Sequence, residues 1–255
     1  MSRLYPEPPH LSVSLYDERR GERDLFAALA GVLRRHGGTA TGEVDVVAAD
    51  TRFDGLTDLP AERVAQLSAT AAEFDRLVAG AEPNRMAVRA GFRTDETGLA
   101  VLSYLRRSGE DRHPVSITVH ADALGMPPEV WESDDAAVAD RIAAWVRVLA
   151  RAACEQTAPL YAELSIETTL PTPAALIGAD LRDVFVADRL MAADPGLEQA
   201  LRERYRDGDV ARWDGGLYCS TWAPFNETGC TMPYDADLGW QVARLIDAAI
   251  GRLPA

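Results

Sequence analysis

Residues 10–16, His-Leu-Ser-Val-Ser-Leu-Tyr, alternate strictly between apolar and more polar side chains. Successive side chains of an extended strand point to opposite faces of a sheet, so this pattern predicts a strand with one apolar and one polar face. The same alternation returns at residues 113–120 and at 160–167. The three segments together predict a β-sheet that has one apolar face.

Amphipathic helices are predicted between these strands. Apolar residues recur at helical spacing over about residues 22–36 and about 133–155. Residues 10–48 and 113–167 therefore share a strand-helix-strand order, which suggests a pseudo-repeat within the chain. Further helices are predicted over about 58–80, 180–194, 196–206 and 235–253, and hairpins over about 84–105 and 210–221.

The fold class follows from how these elements bury their apolar surface. An amphipathic helix needs an apolar surface to cover, and the alternating strands offer one on a single face. We therefore expect an α+β fold in which the helices pack mainly on one face of a mixed β-sheet. No linker rich in Pro, Gly or Ser interrupts the sequence, so residues 1–255 are expected to form one compact domain.

The opposite face of this sheet is expected to be free of helices, and to serve either as solvated surface or as a docking surface. The side chains that the alternation assigns to it are polar: Ser12, Ser14, Ser116, Thr118, His120, Tyr161, Glu163, Ser165 and Glu167, with Arg85 and Arg89 added from the middle strand.

The best candidates for chemistry are His120, Glu163 and Glu167. Parallel pairing of their strands would bring an imidazole near a carboxylate, a combination suited to general acid/base catalysis. Ordinary surface decoration explains the same residues. The sequence contains no phosphate-binding loop, dinucleotide fingerprint, nucleophile elbow or zinc-protease motif, so we lean towards a protein that is not an enzyme and expect no cofactor and no metal site.

Residues 217–234, LYCSTWAPFNETGCTMPY, combine large side chains with a loop broken by prolines. Such a segment is either a lid on the core or a set of anchors for a ligand or partner. If it is a binding site, the residues expected to form it are Trp222, Phe225, Asn226 and Tyr234, together with Tyr161 from the strand at 160–167.

Charge and composition restrict the partners. A net charge of -14 repels phosphate backbones and attracts basic proteins, so we expect a protein partner, plausibly a basic one, and no nucleic acid. No apolar stretch has the length of a membrane span, no signal peptide is recognisable, and the three cysteines are too few for a disulfide framework. These features predict a cytoplasmic protein that does not enter membranes. All 26 basic residues are arginine, which compositional bias explains better than selection against lysine, because Ala, Arg, Gly and Asp are abundant throughout.

Two functions remain open. The first is a non-enzymatic acidic binding protein that engages a protein partner and neutralises or regulates it. In general character, as an α+β chain rich in Ala, Arg and Asp without a catalytic signature, it resembles the immunity proteins that neutralise toxins, although no motif carries that resemblance. The second is a small-molecule enzyme or ligand-binding protein of specialised metabolism, with a pocket between the polar sheet face and the loop at 217–234.

Overall fold

The computed structural model describes residues 4–6, 8–51, 64–104, 112–124 and 133–254. Its strands are β1 (His10–Tyr16), β2 (Thr39–Ala48), β3 (Ala65–Ser68), β4 (Arg85–Thr94), β5 (Gly98–Tyr104), β6 (Val115–His120), β7 (Tyr161–Ile166), β8 (Asp183–Ala187), β9 (Asp209–Trp213) and β10 (Gly216–Ser220). Its α-helices are α1 (Glu22–Arg35), α2 (Ala71–Val78), α3 (Ser133–Thr157), α4 (Asp188–Ala193), α5 (Leu197–Arg204) and α6 (Leu238–Ile250).

The strands form a single ten-stranded sheet in the order β3-β2-β4-β5-β6-β1-β7-β8-β10-β9. Every pairing along it is antiparallel, where the sequence led us to expect a mixed sheet. The α+β character is confirmed. Hairpins account for much of the antiparallel pairing, because β4 joins β5, and β9 joins β10, through turns too short for a parallel crossover.

Helices cover both faces of the sheet. On the first face, the apolar side chains of β1 pack in one core with residues of α1, α2 and α3. On the second face, Val184 and Val186 of β8 pack in another core with residues of α4, α5 and α6. The expectation that helices pack mainly on one face is therefore not confirmed. The cause is a run of apolar side chains on both faces of β8, since Phe185 and Ala187 belong to the first core.

The two strand-helix-strand units occupy different settings in the sheet. Strands β6 and β7 flank β1, whereas β1 and β2 are separated by three other strands. The pseudo-repeat is not confirmed by this arrangement.

Two predicted helices are partly strands. Residues 65–68 of the predicted helix at about 58–80 form β3, residues 52–63 lie outside the described residues, and α2 begins only at Ala71, where Thr70 caps it. In the predicted helix at about 180–194, residues 183–187 form β8 and only the following turn and a half is helical. Asp-Val-Phe-Val-Ala at 183–187 contains two β-branched residues and an aromatic, a composition that favours strands.

The N-terminal residues lie across the second face. The side chain of Leu4 sits beside Gly91 of β4, so close that a Cβ atom at position 91 would come within 2.6 Å of Leu4 Cδ2. Further on, the ring of Tyr5 makes an edge contact with the ring of His10, and the carbonyl of Pro6 lies 2.9 Å from His10 Nε2. A side chain at position 91 would therefore displace the segment that covers this part of the sheet.

Among the residues that the structure describes, no helix is long and apolar enough to cross a membrane.

Candidate functional site

The polar residues of β1, β6 and β7 share one face of the sheet, as the alternation predicted. Ser12 faces Thr118 and Ser14 faces Ser116 across the β1/β6 pairing. The hydroxyl of Ser14 donates to Ser116 Oγ over 3.1 Å, and Ser12 Oγ lies 3.0 Å from Thr118 Oγ1. These residues form a row of side-chain hydrogen bonds at the centre of the sheet.

This face is not free, however. Ser14 and Ser116 are completely buried, and Ser12 and Ser165 are nearly so. The segment between β7 and β8 contributes Leu170, Leu176 and Leu181 to the core on this side. The expectation of an open polar face was therefore wrong. Alternation shows which side chains share a face of the sheet, but other segments of the chain decide whether that face is covered.

Glu163 is the most unusual residue of this polar face. It is 2% exposed, and its Oε2 atom has no hydrogen-bond partner among the described residues. Burial raises the pKa of Glu163 well above its ordinary value, nearby Asp183 and Asp180 raise it further, and a hydrogen bond from the backbone of Arg182 opposes the shift. Burial therefore favours the neutral, protonated form of Glu163.

The structure does not bring His120 together with Glu163. Strand β1 lies between β6 and β7, so the parallel pairing on which that constellation depends is absent. His120 faces His10, whereas Glu163 faces Ser14, four positions further along β1. At ~3.4 Å per residue, the two side chains are separated by ~14 Å along the strand and by two strands across it.

Glu167 instead contacts His10, a residue that the sequence did not single out for chemistry. His10 Nδ1 lies 3.3 Å from Glu167 Oε1, and the backbone N–H of His10 also donates to that oxygen. Since His10 Nε2 already faces the carbonyl of Pro6, both ring nitrogens are occupied by groups of the chain itself. The pair fastens the N-terminal residues to the sheet. No group of three or more metal-ligating side chains forms among the residues that the structure describes.

The segment at 217–234 divides into a buried half and an exposed half. Trp222 and Phe225 are 6% and 2% exposed, and their rings meet edge to face at 5.1 Å within the core of the first face. Asn226 is buried as well, and its side chain bonds Cys230 O (2.6 Å) and Gly229 N (2.8 Å). In this conformation these residues close the core and shape the loop.

This placement also separates the parts of the pocket considered above. Trp222 and Phe225 lie on the first face, while the row of serines and Glu163 lie on the second. Tyr161, the fifth expected binding residue, is fully buried on the second face and donates to the carbonyl of Pro171 (2.7 Å). The sheet itself therefore stands between the polar residues and the two aromatic rings.

Residues 227–237 form the exposed half, which we call the docking segment. All of its residues are exposed except Met232, which is half-buried. Tyr234 is 69% exposed, and the guanidinium of Arg182 lies over its ring, 4.8 Å from the centroid. Arg182 also donates to the carbonyl of Asp235 (3.0 Å). An exposed aromatic ring is therefore held in place by the residue that directly precedes β8.

Acidic charge follows this ring with little compensation. From residue 213 to residue 243 the sequence contains four acidic residues and no arginine. The ion pairs of this region join Arg151 to Glu227 (3.3 Å) and Arg182 to Asp180 (3.0 Å). Asp235 and Asp237 form none within the described part of the chain, so no ion pair there neutralises their charges.

Two residues that matter for this segment, Arg182 and Asp183, were not singled out from the sequence. Both lie in the stretch at 180–194 that was predicted to be helical, and no helix would aim them at the loop after β10. The β-branched and aromatic run Val184-Phe185-Val186 was the signal for a strand directly after them.

Comparisons with known proteins add little to this geometry. No protein-family model matches the sequence, and no curated protein matches it. Among solved structures, a T6SS protein of Pseudomonas aeruginosa is 11% identical and superposes with a TM-score of 0.45, over 98% of this chain and 76% of its own. A similarity at that level carries no argument about fold or function.

Proposed function

We propose that this chain is a non-enzymatic acidic binding protein, which engages a basic protein partner through the docking segment and neutralises or regulates it, as an immunity protein does a toxin. The observation that carries the proposal is the exposed ring of Tyr234, which Arg182 holds in place and which Asp235 and Asp237 follow without ion-pair partners among the described residues.

Physical reasons favour this surface for protein recognition. Tyrosine is among the residues that contribute most to the free energy of binding at interfaces, because it offers a large ring with few rotatable bonds. A ring that is already held loses less conformational entropy on binding. Unpaired carboxylates beside it attract a basic surface and speed the encounter, and the overall charge of -14 acts in the same direction.

The polar residues elsewhere support binding over catalysis. A general acid or base must reach a substrate within hydrogen-bond distance. Glu163 is 2% exposed and Ser14 is fully buried, while His120 lies opposite His10 at the far end of β1. The residues considered for chemistry therefore do not converge on an accessible point.

The proposal is tested by affinity capture from the source cells with two matched variants. Asp235→Asn/Asp237→Asn removes two charges from the docking segment. Asp95→Asn/Glu96→Gln removes two charges from the turn between β4 and β5 and serves as the control. Each variant lowers the magnitude of the net charge equally, from -14 to -12.

We expect the wild type and the control to retain a basic protein in a fixed molar ratio, and the docking variant to lose it. Raising the salt concentration from about 50 to about 500 mM should release the partner, because exposed charges are screened. The proposal fails if the retained protein is acidic, or if both variants bind it equally well.

A further inference from the structure

Asp183 connects the interior of the sheet to the docking segment. It is the first residue of β8, it is 7% exposed, and its carboxylate faces the end of β10. Its Oδ1 atom accepts hydrogen bonds from Ser220 Oγ (2.6 Å) and from the backbone N–H of Thr221 (2.9 Å). Its Oδ2 atom accepts a longer bond from Thr221 Oγ1 (3.3 Å). One carboxylate thus holds the two residues at which β10 ends.

Thr221 passes this constraint on to the docking segment. Its carbonyl accepts a hydrogen bond from the backbone N–H of Met232 over 2.7 Å. The preceding residue, Thr231, accepts a hydrogen bond through its Oγ1 atom from the backbone N–H of Ala223 over 3.1 Å. Met232 lies two residues before Tyr234. Two successive hydrogen bonds, through Thr221, therefore connect Asp183 with the exposed half of the loop.

We infer that Asp183 is the positioning residue of the docking segment, and that the charge on its carboxylate determines how firmly the segment is held. Hydrogen bonds to an ionised acceptor are shorter and roughly twice as strong as those to a neutral one. An ionised Asp183 therefore fixes Thr221 and Met232, and a protonated one holds them more weakly. The inference rests on the proposed function only in treating residues 227–237 as a docking surface.

The surroundings of Asp183 allow this change near neutral pH. Burial raises the pKa of Asp183 from 3.8 to about 6, although hydrogen bonds from Ser220 and Thr221 lower it. The ionisable groups on neighbouring elements that interact electrostatically with it are Glu163 of β7, Tyr218 and Cys219 of β10 and Tyr205 after α5, whose pKa values are all raised. Their raised pKa values favour the neutral forms of these groups, whereas a pKa of about 6 places the ionisation of Asp183 between about pH 5 and 7.5.

Global stability and local order should respond to this proton in opposite directions. The folded chain retains a proton on Asp183 that the unfolded chain releases above its ordinary pKa of 3.8. The stabilisation of the folded chain by this proton is therefore complete below pH 3.8 and is lost as pH rises through about 6. The hydrogen bonds to Thr221, in contrast, strengthen over the same interval. A residue that affected the loop only through global stability would change the free energy of unfolding and the local order in the same direction.

The test is amide hydrogen exchange of the free protein by NMR between about pH 5 and 7.5, expressed as protection factors for Thr221 and Met232. It needs no partner, so its result is independent of the capture experiment. The variants are Asp183→Asn, which keeps the shape of the side chain without a titrating charge, and Asp209→Asn as the control. Asp209 accepts a bond from the backbone N–H of Glu227 (3.1 Å) and is another buried anchor of the same loop.

In the wild type, we expect the protection factors of both amides to fall about three- to tenfold on acidification. In Asp183→Asn, the protection factors should remain constant. The Asp209→Asn control should keep the wild-type pH dependence. A constant protection factor in the wild type would overturn the inference, and so would an equal pH dependence in Asp183→Asn. The pH dependence of protection in the wild type needs no variant, so this part of the test stands even if Asp183→Asn does not fold.

Discussion

The polar face of the sheet and the docking segment are both rich in hydroxyl and carboxyl groups, yet they are built in opposite ways. On the polar face, Ser14 and Ser116 bond each other in the interior, and Glu163 is buried without a partner for one oxygen among the described residues. In the docking segment, backbone and side-chain bonds from the interior hold an exposed ring and exposed carboxylates. Polar composition alone therefore does not distinguish the two regions, and it is exposure combined with anchoring on which the proposal for the docking segment rests.

The largest expected effect on stability distinguishes the buried half of the segment at 217–234 from its exposed half. Trp222→Ala should lower the free energy of unfolding by about 3–5 kcal/mol, because it empties a packed site in the core. Urea denaturation measures the change, with Val148→Ala on the exposed surface of α3 as the control. A loss of less than about 1 kcal/mol would show that Trp222 is not a core residue.

The next effect concerns Glu163 and depends on pH. Because burial raises the pKa of Glu163 in the folded chain above the ordinary value of 4.5, wild-type stability should fall as pH rises from there, by at most about 1.4 kcal/mol per pH unit. Glu163→Gln keeps a neutral side chain at every pH and removes this loss. Urea denaturation at about pH 5 and pH 7 should show the variant gaining about 2 kcal/mol relative to the wild type.

Glu203→Gln is the matched control for that measurement, because it makes the same replacement at an exposed position. If Glu163→Gln behaved in the same way as this control, Glu163 would be ionised in the folded chain. The polar face would then contain a buried charge, and the comparison with the docking segment would have to be revised.

How much of this could be predicted from the sequence depends on which physical signal each feature leaves. The alternation at 10–16 and 113–120 correctly assigned Ser12, Ser14, Ser116 and Thr118 to one face, because side-chain direction is a local property of a strand. Whether that face is covered depends on residues 168–181, which follow β7, and on the N-terminal residues, which precede β1, and the alternation within a strand carries no information about either segment. The prediction therefore succeeded for direction and failed for burial.

The same distinction applies to strand order. Pairing His120 with Glu163 assumed that β6 and β7 are neighbours, and nothing in either strand indicates that β1 lies between them. The loop at 217–234 was predicted to be either a lid or a binding element. Its division between a buried Trp222 and an exposed Tyr234 follows from the contacts of Arg182 and Asp183, which join segments that lie far apart in the sequence.

A smaller effect tests the row of serines. Ser14→Ala and Ser116→Ala should each cost about 1 kcal/mol, because each leaves a buried hydroxyl without its strongest partner. The double variant should cost less than the sum of the two, since it leaves no such hydroxyl on this pair. A double-mutant cycle of unfolding free energies gives the coupling between them, and strict additivity would contradict the hydrogen bond.

The smallest expected effect on stability belongs to the docking segment itself. Tyr234→Ala removes a ring that is mostly in solvent, so the free energy of unfolding should change by less than about 0.5 kcal/mol. Its affinity for the captured partner should nevertheless fall at least about tenfold, as measured by isothermal titration calorimetry. A large loss of stability with unchanged affinity would reverse the roles assigned to the two halves of the segment.

Amide hydrogen exchange of the chain with and without its captured partner decides whether residues 227–237 are the docking surface. We expect binding to protect these residues and the adjoining Arg182, while protection of the β4–β5 turn and of the edge strand β3 stays unchanged. New protection at β3 or at that turn, without any at residues 227–237, would contradict the assignment of this segment as the docking surface.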